Sequence, residues 1–114
     1  MERNTDAFCP RFHHAIELIG RRWTGAILRA MFSGRTRFSD LAAAVPGLSD
    51  RLLSERLKEL EAEGLIARCV YPDTPVRIEY QLTDKGRALQ QAIEAVATWA
   101  HEWVDPALTE SRAS

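Results

Sequence analysis

The chain has 114 residues, with 15 lysines and arginines against 16 aspartates and glutamates and a formal net charge of −1. Hydrophobic residues make up 46% and charged residues 27%, an ordinary globular balance that argues against a disordered chain and for a single domain over 1–114. No apolar run approaches a membrane span, the N-terminus lacks the charged-then-apolar layout of a signal peptide, and two cysteines make no disulfide framework, so the expected setting is cytoplasmic with no membrane partner.

In chain order, Phe12, Ala15, Ile16 and Ile19 form a short apolar stripe that stops at Gly20. A second helix is expected from about Trp23 to Ser33, with Trp23, Ile27, Ala30 and Met31 inward and Gly34 closing it. Arg35 to Phe38 reads as a short extended piece, after which Ser39 is the expected N-cap of a third helix reaching Val45 and stopping before the turn at Pro46-Gly47. Ser49 repeats the cap for a fourth helix that ends at Gly64. In it Leu53, Leu57 and Leu60 recur at i, i+4, i+7 and mark one face for a core. Two strand-like runs follow, Ile66 to Tyr71 and Val76 to Leu82, separated by the stiff loop Pro72-Asp73-Thr74-Pro75. Thr83 then caps a final long helix, Asp84 to Val104. The fold expected is mainly α with a small β-hairpin: a helix-turn-helix over 39–64, a wing over 66–82, a dimerisation helix over 84–104, and flexible ends at 1–8 and 106–114.

The outer face of the fourth helix points to DNA. At about 100° per residue, Arg51, Glu55 and Lys58 lie opposite the leucines, with Ser54 beside them, and an α-helix fits the major groove. The near-neutral total hides a segregated distribution. Gly20 to Lys58 carries eight basic and three acidic residues, or +5, and the remainder carries seven against thirteen, or −6. That separation allows a positive face on a neutral protein, although an arginine-rich solvated surface has the same composition.

The final helix carries a second message. Leu89, Ala92, Val96, Trp99 and Trp103 follow alternating three- and four-residue steps, the seam of a helix that packs on another helix. A domain this small has little interior for two tryptophans and the first-helix stripe, so a homodimer joined through Phe12, Ile16, Ile19, Leu89, Val96, Trp99 and Trp103 is expected, against the alternative of an intramolecular face. Two-fold symmetry suits a pseudo-palindromic operator in double-stranded promoter DNA.

Several segments together resemble the HxlR-type family of bacterial winged-helix transcription regulators, distant relatives of the MarR type. They are Cys9-Pro10, Gly20-Arg21-Arg22-Trp23-Thr24, Arg37-Phe38-Ser39-Asp40-Leu41, Leu57 through Leu65, Tyr71 through Tyr80 and Leu82-Thr83-Asp84-Lys85-Gly86, in register from Cys9 to Trp103. The family often has a second glycine where this chain has Arg21. The resemblance implies a homodimer that binds promoter DNA, in most members as a repressor and in some as an activator. The fourth helix would enter the major groove, with Ser49, Arg51, Ser54, Glu55 and Lys58 facing DNA. Arg51 suits guanine and Glu55 suits cytosine. Arg77 is the candidate wing residue for the DNA backbone or minor groove, Arg35 and Arg37 are candidate phosphate clamps, and Arg56 is placed at a phosphate or in a salt bridge.

The same resemblance implies that Cys9 is a redox or electrophile switch, responding to quinones, aldehydes or oxidants. Basic Arg11, His13 and His14 lie close by in sequence, and the thiolate is the reactive form. The competing reading is a small buried apolar residue, which is what is expected of Cys69; whether the two cysteines pair cannot be read from their spacing. Cys9, His13 and His14 with Cys69 or His101 also form a donor set, so the alternative to thiol sensing is a regulator that responds to a metal or a small-molecule inducer; the spacing matches no standard zinc module, and neither a bound metal nor a cofactor is expected. No nucleophile elbow, phosphate-cradling glycine loop, dinucleotide fingerprint or zinc-protease helix occurs, so catalysis is not expected. A winged helix that binds protein instead of DNA would expose apolar residues on the fourth helix, where only Leu52 flanks the polar face.

Overall fold

A computed structural model describes residues 7–109. Helices α1 (Pro10–Ile19), α2 (Thr24–Phe32), α3 (Phe38–Ala44) and α4 (Asp50–Ala62) precede a hairpin of β1 (Ile66–Tyr71) and β2 (Arg77–Leu82). Helices α5 (Asp84–Arg87) and α6 (Gln90–Trp103) follow, then a 3-10 turn at Pro106–Leu108. The arrangement is a winged helix-turn-helix. Among the described residues, no helix is long and apolar enough to cross a membrane.

Helix α4 forms where the leucine stripe places it. Ser49 Oγ accepts the Leu52 amide at 3.1 Å, satisfying one of the donors a first turn leaves open. Leu53, Leu57 and Leu60 are buried to 1% exposure or less against Ile27 and Leu28 of α2 and Leu41 of α3 within one core cluster. Each such burial contributes about 1.5–3 kcal/mol. At the C-terminal end, Gly64 adopts φ +83°. Its amide reaches Glu61 O at 3.0 Å while the Leu65 amide reaches Leu60 O at 2.9 Å, the paired bonds that close a helix and turn the chain into β1.

The hairpin is antiparallel, with Ile66 opposite Leu82 and Tyr71 opposite Arg77. The extended piece before α3 joins it, since Tyr80 N donates to Thr36 O at 2.8 Å. Ile66 is buried and Leu82 and Tyr80 pack on the core, so only the base of one face is covered. Cys69 lies on the other face, opposite Glu79, and is partly exposed. The expectation that it belongs to the core fails: its neighbours on that face are the polar Glu79, Arg77 and Gln81, and it lies outside the core cluster.

Three boundaries also differ from expectation. Helix α2 begins at Thr24, with Trp23 outside it as N-cap in the left-handed region at φ 78°. The N-cap of α3 is Arg37, not Ser39; the burial of Phe38 against the core draws it into the first turn, and Leu41 N bonds Arg37 O at 2.9 Å. The expected helix over 84–104 is two helices. Thr83 does cap the first, accepting the Gly86 amide at 3.1 Å, but Leu89 N then bonds Gly86 O at 3.1 Å, a three-residue step that tightens the chain at Ala88–Leu89. The expected flexible end at 106–114 begins with the 3-10 turn, whose Ala107 amide is capped by Asp105; 110–114, like 1–6, lie outside the described residues.

Gly86 sits where α5 crosses the start of β1, and a Cβ there would lie 2.1 Å from Leu65 O and 3.2 Å from Leu82 Cδ2. Neither the backbone oxygen nor the packed leucine can yield easily. Gly86→Ala is therefore expected to lower unfolding stability by about 1–3 kcal/mol, seen as a lower denaturant midpoint with an unchanged slope. A midpoint equal to the parent's would show that the α5–β1 contact has room for a methyl group.

Candidate nucleic-acid interface

Burial of the leucine face leaves Arg51, Glu55 and Lys58 exposed on the opposite side of α4, with Ser54 half-buried beside them. Arg51 is 90% exposed at its side chain, and its Nε lies 3.4 Å from Glu55 Oε2. An exposed i,i+4 pair of this kind is worth only a few tenths of a kcal/mol, so it opens readily for a base edge. Ser49 is exposed at the head of the helix, but its oxygen is committed to the cap; its hydroxyl hydrogen is what it can offer a partner.

Arg56 faces the interior. It is 8% exposed, its Nε donates to Arg22 O at 3.0 Å, and its Nη1 reaches Glu59 Oε2 at 3.2 Å. The salt bridge expected of it is present, and the phosphate contact is closed by burial. Its role is to tie α4 to the segment that enters α2.

Of the proposed phosphate clamps, Arg37 is exposed at the N-terminus of α3 and makes no side-chain ion pair among the described residues. Arg35 is exposed and donates through Nη1 to Ser33 Oγ at 2.6 Å. Arg77 lies on the hairpin face away from Ile78 and Tyr80, as the alternation predicts. Its guanidinium is already occupied. Nε donates to Asp73 Oδ2 at 3.0 Å, Nη1 donates to Glu79 Oε2 at 2.6 Å, and the carbon lies 4.0 Å over the Tyr71 ring. The hydrogen bonds it donates to Asp73 and Glu79 raise its pKa above the ordinary arginine value. Sequence reasoning missed both acids, although Asp73 at i−4 and Glu79 at i+2 were the available signal.

The expected dimer residues fall into two groups. Phe12, Ile16, Val96, Trp99 and Trp103 are exposed, the tryptophans at 58% and 68%. Ile19 and Leu89 are half-buried and pack on the protomer's own core beside Ile93, which the seam pattern overlooked. Helix α6 thus has an inward face through Ile93 and an outward aromatic face. Arg29 of α2 holds it laterally through Glu94 at 3.2 Å.

Cys9 is the N-cap residue of α1, partly exposed and unpaired, as is Cys69. The Phe8 and His13 rings meet across it in sequence at 5.2 Å. His14 is taken by Glu63, with Nε2 at 3.0 and 3.1 Å from the two carboxylate oxygens. No group of three or more His, Cys, Asp or Glu converges as a metal site among the described residues. A groove of about 540 Å3 lies between α1 and the α4–α5 junction, with Leu18, Ile19, Leu65 and Leu89 as apolar walls and Arg11 and Lys85 among its lining.

Residues 18–108 match the family described as HxlR-like helix-turn-helix. The chain is 50% identical over 107 residues to the uncharacterized HTH-type transcriptional regulator YvaP of Bacillus subtilis, covering 94% of this chain and 99% of that protein. It is 39% identical over 101 residues to the HTH-type transcriptional regulator YodB of the same organism, covering 89% and 90%. The reduced form of YodB superposes with a TM-score of 0.77 at 39% identity, covering 87% of this chain and 97% of that one. The quinone-bound form gives 0.72 at 35% identity over 84% and 100%. The redox regulator HypR in its oxidized form gives 0.78 at 33% identity over 85% and 99%. A helix-turn-helix with a polar outer face, a hairpin beside it and matches across nearly the whole chain lead to one assignment: this protein is a DNA-binding transcriptional regulator, not an enzyme, and belongs to the HxlR-like helix-turn-helix family.

Proposed function

We propose that the protein is a cytoplasmic homodimer that represses transcription from a pseudo-palindromic operator and releases it when the Cys9 thiol is oxidised or alkylated. The observation that carries the DNA reading is the division of α4 into a buried leucine face and an exposed face of Arg51, Glu55 and Lys58. Major-groove entry by α4 sets Arg51 toward a guanine and Glu55 toward a cytosine, with Ser49, Ser54 and Lys58 beside them. Arg37 and Arg35 take phosphates that fix register. The outward face of Phe12, Ile16, Val96, Trp99 and Trp103 supports dimerisation, because a patch of this kind on a soluble protomer is stable when a second copy covers it.

The thiol reading rests on the place of Cys9 at the first turn of α1, next to that face, and on relatives solved in reduced, oxidized and quinone-bound forms. A quinone reacts by addition: the thiolate sulfur forms a bond to a ring carbon, and the ring takes up a proton and becomes a hydroquinone thioether. An adduct at the N-terminus of α1 displaces the helix from its partner and so changes the spacing of the two α4 helices. A non-covalent inducer has room in the groove between α1 and α5.

Three outcomes test this reading. Arg51→Ala is expected to weaken operator binding by about 1–3 kcal/mol and relax the preference at one base position; intact affinity and specificity would remove α4 from the major groove. Trp99→Glu places a charge in the proposed interface and is expected to give a folded monomer in sedimentation, with DNA affinity falling at least tenfold; a dimer of unchanged stability would locate the interface elsewhere. The deciding experiment is an anisotropy titration of DNA flanking the protein's own gene, with reduced and quinone-treated protein. Release on treatment, abolished in Cys9→Ser, is the expected result, and release that persists in Cys9→Ser would move the sensor to another group.

A further inference from the structure

The wing does not present a free cation. Arg77 is held on three sides, by Asp73, Glu79 and the Tyr71 ring, with the guanidinium only partly open to solvent. Its two acids are not equivalent. Glu79 is 15% exposed at its side chain, sits within β2, and is fixed a second time where its Oε1 accepts Gln81 Nε2 at 2.8 Å. Asp73 lies in the loop, is 55% exposed, and its carboxylate meets no other donor among the described residues. One acid is built into the strand, and the other can be exchanged.

We propose that Asp73 is an internal substitute for a DNA phosphate, occupying Arg77 in the free protein and giving it up to the duplex backbone when the wing docks. The inference rests on the DNA-binding mode described above and adds the group that tunes it. A guanidinium fork donates to carboxylate and phosphate oxygens with the same geometry, so a phosphate arriving at the loop finds Arg77 already oriented by Glu79 and Tyr71. Orientation is thus provided before binding, and Asp73 is what the phosphate displaces.

The charge balance of the hairpin gives this exchange a signature. Over 66–82, Arg68 and Arg77 stand against Asp73 and Glu79, so the wing is neutral. An ordinary arginine that neutralises one phosphate releases a counterion and adds about 0.9 to the slope of log affinity against log salt. Here, Asp73 is left bare when Arg77 changes partner, and the cation it attracts from solution offsets part of that release. Arg77 therefore contributes contact with less salt dependence than an ordinary arginine. Removing the carboxylate charge restores both the affinity and the slope.

The test is a salt series from about 50 to 200 mM with a labelled non-specific duplex of roughly 30 base pairs, since a backbone contact needs no operator. Asp73→Asn is expected to bind roughly two- to five-fold more tightly near 0.1 M salt and to steepen the slope by up to about 0.9. Both changes are expected to vanish when Asp73→Asn is combined with Arg77→Ala. Glu61→Gln, which removes an exposed acid at the far end of α4, is expected to leave both quantities alone. Asp73→Ser makes the same charge change with a different shape, and unfolding curves of both variants check that the wing still folds. Unchanged or weaker binding by two well-folded variants would overturn the exchange. Tightening that survives Arg77→Ala would also overturn it, because Asp73 would then act by simple repulsion. Absence of salt-dependent binding by the parent protein would instead bring down the DNA-docking mode itself.

Discussion

Leu53, Leu57 and Leu60 leave almost no surface to water, and the position of every exposed group on α4 follows from that burial. A helix with three leucines locked into a core has lost its freedom to roll. What it shows to solvent is then determined by the rotation of about 100° per residue and not by any property of the exposed side chains. Arg51, Glu55 and Lys58 need no scaffold of their own. The same core anchors α2 through Ile27 and Leu28 and α3 through Leu41, so the helix-turn-helix is packed as one piece.

The remaining parts are attached to that piece by backbone contacts as well as by side-chain packing. Thr36 O ties the stretch before α3 to β2, Leu65 O accepts the Thr83 amide, and Gly86 brings α5 within contact of the same carbonyl. Arg56 adds one bond in which a buried guanidinium satisfies the Arg22 carbonyl. These are short-range, directional constraints, and each fixes an angle. The wing thereby inherits its orientation from the helix it follows, while α6 is set against α2, through Ile93 in the shared core and the Arg29–Glu94 pair.

How much was legible in the sequence depended on whether the deciding force was local. Helix α4 was readable because its stripe, its Ser49 cap and the glycine after it agree. The hairpin was readable because Pro72 to Pro75 can hardly be anything but a turn. The split of the last helix was not readable, since the chain tightens there against β1, a contact that no periodicity encodes. Ser39 lost the cap to Arg37 because the burial of Phe38 outweighs one side-chain hydrogen bond. Cys69 looked like core because strand alternation assigns faces without saying which of them anything covers. Alternation put Arg77 on the strand face away from Ile78 and Tyr80, where it lies, but assessing arginines singly hid the two acids that hold it.

Trp23 is the one described non-glycine residue with positive φ, and it stands between α1 and α2. Such a backbone costs on the order of 1–3 kcal/mol and persists only where its surroundings hold it. Here the indole lies close against Gly47, with the Arg22 guanidinium 5.0 Å from the ring and the Arg22 carbonyl bound by Arg56. The connection is therefore an elbow with one setting and not a hinge with a range. In a two-fold assembly joined through α1 and α6, the separation of the reading heads would be a fixed length written into the backbone. Such an assembly would measure DNA with a ruler, and any signal acting on it would have to shift the whole ruler instead of bending it.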